Sequence, residues 1–336
     1  MSIFTNIFKK KSKFRFNWNL AQRFVNDYRL PIPIMGARMF EYHLNLYEKD
    51  YQCMTKWNKL WNLINERFEG KPENFLSEFY AVREKIVTEV PQNAAFQRFN
   101  TCDMNQYSVP NLKPRCSSLY NEDNIGCLFV SVDLTKGNFQ ALNYVDKEML
   151  LNSDTYAEFI SKFTDLYYIK ESKYFRQVIF GQMNPKRHIV VEKFMMNKVY
   201  ELLKEKYRFT NLVVSNSDEL IYEIDSPILD LPTSSDIEAV IEKELGIYVH
   251  VNFFELHGWN LFSAKEHHKR CTFYVKNDME YKSAEELMCV PQPYFSVVYK
   301  LYNNMPVVKE DLHFNYENID CIFNDNFYIE KISPKF

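Results

Sequence analysis

The chain has 336 residues, 46% of them hydrophobic and 16% aromatic, and a net charge of −3. That length suffices for a sizeable core and two or three lobes, and the charge excludes a whole-molecule pull towards nucleic acid, so any such surface has to be a local patch. No apolar run reaches membrane-spanning length, no signal-type segment precedes the basic N-terminal cluster, and the seven cysteines contain no C-x-x-C pair, which points to reduced thiols, a cytoplasmic setting and no membrane partner.

Residues 1–20 interleave Lys9, Lys10, Lys11, Lys13 and Arg15 with Phe14, Phe16 and Trp18. Such a patch can hold phosphates while its rings stack on bases, or it can be a solvated arm. Residues 20–95 read as helical. Phe75, Phe79, Val82, Ile86 and Val90 recur at helical spacing, with Pro72 in the first turn and Pro91 as the stop. Residues 96–125 lack periodicity, contain Pro110 and Pro114, and read as an irregular connection that reaches over a site.

From 126 to 260 strand and helix alternate. Leu128, Val130 and Val132 form one face of a strand, and Phe129, Ser131 and Asp133 form the other. The first face then covers helices, and Asp133 points to an open surface. A helix over 186–207 carries the stripe Val191, Met195, Val199 and Leu202. A hairpin follows over 211–224, turning at Asn216-Ser217-Asp218, residues that tight turns favour. The next helix has a capping box, Ser235-x-x-Glu238, and ends at Gly246, and the strand 247–256 comes after it. This order predicts an α+β fold, an antiparallel sheet with helices on one face and the other face free. Beyond it lie a charged turn with His267-His268, a strand over 271–276, a helix over 291–303 and an acidic tail. The two histidines have no cysteine or spaced acidic partner that would suggest zinc.

Asp133 ends one strand, and Asp218 and Glu219 sit at the tip of a hairpin. If the two are neighbours in one sheet, their carboxylates meet on its uncovered face. Oxygen ligands from separate strands suit Mg²⁺, and two such ions can clamp the attacking and leaving oxygens of phosphoryl transfer. Three adjacent negative charges call for a cation. The competing reading is that Asp133 caps a helix and Asp218 a turn.

With those residues in view, "VSVDLTKGNFQAL" resembles motif A of right-hand polymerases, and "VVSNSDELIYEI" resembles their motif C. The stretch "IFGQMNPKRHIVVEKF" lies between them, where reverse transcriptases carry a Gln-Gly…Ser-Pro loop that runs into a helix. The resemblance covers about 125–260 and extends to RNA-dependent RNA polymerases. Glu219 departs from the usual second Asp, and the glutamine-glycine order is not reproduced. The tRNA-His guanylyltransferase family is also similar, in Ser217-Asp218-Glu219, in Lys136-Gly137 closely followed by Phe139, and in a Lys-Arg-bearing helix before the hairpin.

The resemblance implies a palm-type, ferredoxin-like sheet and a two-metal nucleotidyltransferase. Asp133 and Asp218 would bind two Mg²⁺ ions, with Mn²⁺ as a substitute, and Glu219 would be an auxiliary ligand. The nucleotide would meet Lys136, Gly137, Asn138, Phe139, Gly181, Asn184, Lys186, Arg187 and His188, with Lys113 and Arg115 as weaker contacts. Asn138 stands where reverse transcriptases have a bulky ring that excludes a ribose 2′-hydroxyl, which implies tolerance for ribonucleotides. The partners would be a template and primer of RNA or DNA and an NTP or dNTP. Residues 1–125 would be a helical, fingers-like region, 126–262 the palm, and 263–336 a thumb-like module. The rivals are a guanylyltransferase-like or template-independent nucleotide adder and a non-catalytic palm that binds nucleic acid or assembles with partners. The many Phe, Tyr, Asn and Lys residues suit an AT-rich genome, as in a virus or phage.

Overall fold

Alternating residues build β1 (Leu128–Leu134), which has a strand on each side in a computed structural model that describes residues 14–224, 232–279, 286–317 and 319–335. Lys9, Lys10, Lys11 and Lys13 lie outside the described residues. The other strands are β2 (Leu212–Ser215), β3 (Glu219–Glu223), β4 (Val249–Ser263), β5 (Lys269–Asp278), β6 (Glu286–Met288), β7 (His313–Tyr316), β8 (Ile319–Ile322) and β9 (Phe327–Lys331). The main sheet is antiparallel, in the order β2-β3-β1-β4-β5-β6 with β9 also on β4, and β7 pairs separately with β8. The fold is α+β, as expected.

Among the described residues six α-helices precede the sheet: α1 (Trp18–Tyr28), α2 (Ala37–Leu46), α3 (Glu48–Tyr51), α4 (Cys53–Arg67), α5 (Pro72–Glu89) and α6 (Ala94–Thr101). Between β1 and β2 run α7 (Gly137–Val145), α8 (Tyr156–Ser161), α9 (Tyr167–Glu171), α10 (Lys173–Gly181) and α11 (Pro185–Tyr207). Helix α12 (Ser234–Leu245) joins β3 to β4, and α13 (Phe295–Tyr302) lies near the C-terminus. One hydrophobic cluster runs from Leu20 and Phe24 through Trp57, Phe75 and Phe79 to Met195 of α11 and Val130 and Val132 of β1. The first six helices therefore share a core with the sheet. Each fully buried side chain of this size contributes about 1.5–3 kcal/mol.

Three expectations change. The face opposite the helices is free only at its Asp133 end. At the other end Leu119 and Ile125 close over Phe129, Ile221, Phe254 and Leu256. The closure is tight: a Cβ on Gly258 would lie 2.2 Å from Ile125 Cδ1, so a larger residue there would have to displace the Ile125 side chain. The 96–125 stretch also reaches the acidic row, where the charge of Glu219 acts on Tyr120. Its backbone extends the sheet edge, with Arg115 N and Cys116 N donating to the Leu212 and Val213 carbonyls at 2.9 Å. The capping box of α12 is Thr233 with Asp236, and Glu238 instead accepts a bond of 2.8 Å from Val251 N. In α11 it is Leu203 rather than Leu202 that is buried with Val191, Met195 and Val199.

The 263–336 segment adds β5, β6 and β9 to the same sheet, because β4 runs 15 residues and pairs with β1 through its first half and with β5 and β9 through its second. Helix α13 packs on this extension through Val297 and Val298 against Leu261, Phe273 and Val275. Among the described residues no disulfide joins the cysteines. Among the described residues no helix is long and apolar enough to cross a membrane.

Candidate functional site

The site is built on sheet register. Asp133, near the end of β1, stands directly opposite Glu219 of β3 and His250 of β4. Directly opposed residues share a face, so the three side chains form a row across three strands. The hairpin between β2 and β3 turns at Asn216-Ser217-Asp218 and closes with Asn216 N donating to the Glu219 carbonyl at 2.8 Å. The Asp218 carbonyl accepts from Leu134 N at 2.8 Å, which ties the hairpin tip to the end of β1. The sequence-predicted trio Asp133, Asp218 and Glu219 is thus brought together.

The three carboxylates are held differently. Glu219 accepts from Ser131 Oγ at 2.7 Å and from Asn216 Nδ2 at 3.3 Å. Asp218 is exposed, 3.3 Å from Ser217 Oγ. Asp133 is half-buried and makes no side-chain hydrogen bond among the described residues. Burial, then the charges of Asp218 and Glu219, raise its carboxyl to about 6, against the pull of Lys173 and His250.

A fourth carboxyl completes the cluster, and sequence reasoning missed it. Glu192 of α11 is only 4% exposed. Burial foremost, with Asp218 and Asp133 adding to it, pushes its carboxyl up to about 7, while the bond from Asn138 Nδ2 at 3.0 Å opposes the shift. The signal was available: Glu192 falls on the His188, Met196, Val199, Leu203 stripe of α11, where a charge is out of place. The close approach at Gly137 is to this residue, since a Cβ there would sit 3.3 Å from Glu192 Oε1.

Cations line the other flank. Lys136 adopts a left-handed backbone (φ 56°) that turns β1 into α7, at a cost of about 1 kcal/mol. Its ammonium and the Arg176 guanidinium lie 5.9 and 5.6 Å from the Tyr156 ring centre. Burial and the charge of Arg176 lower the Lys136 ammonium. Burial and Arg29 lower Arg176, which Asp133 and Tyr156 oppose. Lys173 and Arg176 were also missed, because nothing in the local pattern of α10 points them at β1.

Other predicted contacts go elsewhere. Phe139 is 3% exposed, with its ring centre 6.2 Å from Tyr156 and 6.3 Å from Phe159, so it is core and not a nucleotide contact. His188 is fully buried between Phe99 and Phe180, and burial pushes its imidazole down to about 4, so it has no face to offer a phosphate. Arg187 donates to the Cys102 carbonyl and lies 5.4 Å over the Phe99 ring. Asn184, also left-handed, donates to Asn100 Oδ1 at 2.9 Å. The segment is thus anchored on α6 and the residues just after it. Lys186 is exposed, and Gly181 ends α10 with open space where a Cβ would go. Arg115 pairs with Glu223.

Among the described residues no three His, Cys, Asp or Glu side chains converge as ready ligands of one ion. The donor chemistry nevertheless fits a hard divalent cation: Asp133 and Asp218 offer oxygen from neighbouring elements, and burial, then repulsion from Asp218 and Glu219, raises the Asp133 carboxyl to about 6. No protein-family model, curated protein or solved structure matches the chain.

Proposed function

We propose that the chain is a palm-type, two-metal nucleotidyltransferase, a small template-dependent polymerase of the reverse transcriptase or RNA polymerase kind. The observation that carries this reading is the Asp133 carboxyl, without a hydrogen bond among the described residues, set beside Glu219 on the adjacent strand and Asp218 at the hairpin tip and flanked by Lys136, Lys173 and Arg176. Strand order adds support: β1, the helices, β2, β3, α12 and β4 form a βαββαβ unit ordered β2-β3-β1-β4, the ferredoxin-like arrangement.

In the reaction, a hydroxyl oxygen of the primer attacks the α-phosphorus of a nucleoside triphosphate. The new P–O bond forms as the bond to pyrophosphate breaks, and the hydroxyl proton leaves to solvent. Mg²⁺ ions held by Asp133 and Asp218 would supply charge neutralisation for the attacking and leaving oxygens. Lys136 and Arg176 hold the triphosphate. Glu219, tied to Ser131 and Asn216, shapes the rim. Asn138, steadied by Glu192, faces the ribose.

Incorporation of labelled NTPs and dNTPs, with Mg²⁺ or Mn²⁺, on primed RNA, primed DNA and no template tests the reading. Template-dependent incorporation lost in both Asp133→Asn and Asp218→Asn is expected. Addition to tRNA or without template identifies a nucleotide adder on the same site. No incorporation under any condition overturns the catalytic reading. Asn138→Tyr should shift preference from rNTP towards dNTP, and an unchanged ratio removes Asn138 from the ribose.

A further inference from the structure

Far from the acidic row in sequence, α1, α5 and α10 enclose a groove of about 590 Å³. Its lining includes none of the residues of the carboxylate row. Two arginines point its chemistry. Arg23 is held with its guanidinium carbon 4.8 Å from the Phe79 ring centre and 4.9 Å from that of Tyr174. Its Nε lies 3.1 Å from Asp27 Oδ2, an ion pair that lacks hydrogen-bond geometry. Arg83 lies 5.2 Å over the Tyr80 ring, its Nε is buried without a partner, and no ion pair reaches it among the described residues.

A buried donor left unbonded costs about 1–3 kcal/mol, so the Arg83 guanidinium, with that of Arg23 beside it in the groove, calls for a ligand with several acceptor oxygens. Phosphate matches that fork geometry best. Asp27 holds Arg23 through Nε, and it is 1% exposed and also bonded to Tyr168 and Ser172, so it leaves the terminal nitrogens of Arg23 to the groove. The groove also offers ring faces: Tyr80 is 44% exposed, and Tyr174 lines the opposite wall. Exposed rings beside paired arginines suit a planar base, and the Asn26 amide can meet a base edge. The volume is that of a small-ligand pocket.

We propose that this groove binds a nucleotide unit, its phosphate on Arg23 and Arg83 and its base on the Tyr80 ring. A free nucleotide and one residue of a single strand share this chemistry. The proposal stands on these side chains and does not require the polymerase reading. It does connect to that site physically, since α10 carries Tyr174 on the groove side and Arg176 beside Asp133.

The test titrates the full chain in EDTA with a fluorescein-labelled oligouridylate by anisotropy, and with AMP and UMP by calorimetry. Arg83→Ala should weaken binding about tenfold and Tyr80→Ala about fivefold, both with unchanged melting temperatures. Asp133→Asn should bind like wild type whether or not the wild type incorporates nucleotides, which separates failure of one proposal from failure of the other. Groove-dependent binding of the oligonucleotide alone assigns the groove to a strand, and of AMP or UMP as well to free nucleotides. Absence of binding by every probe, or wild-type affinity in folded Arg83→Ala and Tyr80→Ala, overturns the proposal.

Discussion

Two aspartates, Asp27 in α1 and Asp133 in β1, have carboxyls raised to about 6, and burial is the leading cause in both. Their neighbours differ in sign. Around Asp27, Arg23, Tyr168 and Ser172 all stabilise the charged form. Around Asp133, Asp218 and Glu219 add to the penalty. The same perturbed proton affinity therefore marks a satisfied structural anchor in one place and an unsatisfied acidic centre in the other. What separates them is the hydrogen-bond inventory: Asp27 has two hydroxyl donors at 2.9 and 3.0 Å, and Asp133 has none among the described residues. A carboxylate with acidic neighbours and no hydrogen bond among the described residues is the feature expected of a site that binds a cation.

Substitution should break the pair apart most strongly in activity. Asp133→Asn and Asp218→Asn should each lower nucleotide incorporation at least about a thousandfold, or about 4 kcal/mol in the barrier. Their melting temperatures should hold or rise, because a repulsive charge is removed. Asp27→Asn should keep incorporation within a few-fold of wild type, and loss comparable to Asp133→Asn would erase the distinction.

Stability should separate them in the reverse sense. Asp27→Ala leaves Arg23 uncompensated and should cost about 3–5 kcal/mol in urea unfolding. A cost near zero would mean that Arg23 finds another anion.

The pH dependence sharpens the structural half. Asp27's raised carboxyl contributes stability that is fully present below its unfolded value near 4 and lost as pH rises through about 6. Fully buried His43 of α2, which contacts Met39 O at 2.8 Å and Ser296 Oγ at 3.1 Å, is pushed down to about 4 by burial. Its contribution is present above the unfolded value near 6.5 and is lost as pH falls towards 4, about 3 kcal/mol at most. The two oppose each other between pH 4 and 6. Relative to wild type, Asp27→Asn should therefore steepen the acid-side loss of stability, and His43→Gln should flatten or reverse it. Parallel profiles for all three proteins would refute the assignment.

The smallest effect concerns the cationic flank. Arg176→Ala should raise the nucleotide KM about tenfold with kcat within threefold, as for a binding contact to phosphate. An equal fall in kcat and kcat/KM would instead place the guanidinium in the transition state.

Local pattern made much of this legible. The period-two alternation over 128–134, the Asn216-Ser217-Asp218 turn, Pro185 at the start of a long helix and the left-handed Gly246 at the end of α12 all depend on neighbours within a few residues, and each became the element it predicts. The carboxylates at a strand end and a hairpin tip were visible for the same reason. Tertiary structure alone decided that β1 lies between β3 and β4, that Ile125 closes over Gly258, that His188 and Phe139 turn inward, and that Glu192, Lys173 and Arg176 gather near Asp133. These neighbours lie tens of residues apart along the chain. Their meeting depends on how whole apolar faces stack and on which strand pairs with which, energies that are summed over the core and leave no mark in any short stretch of sequence.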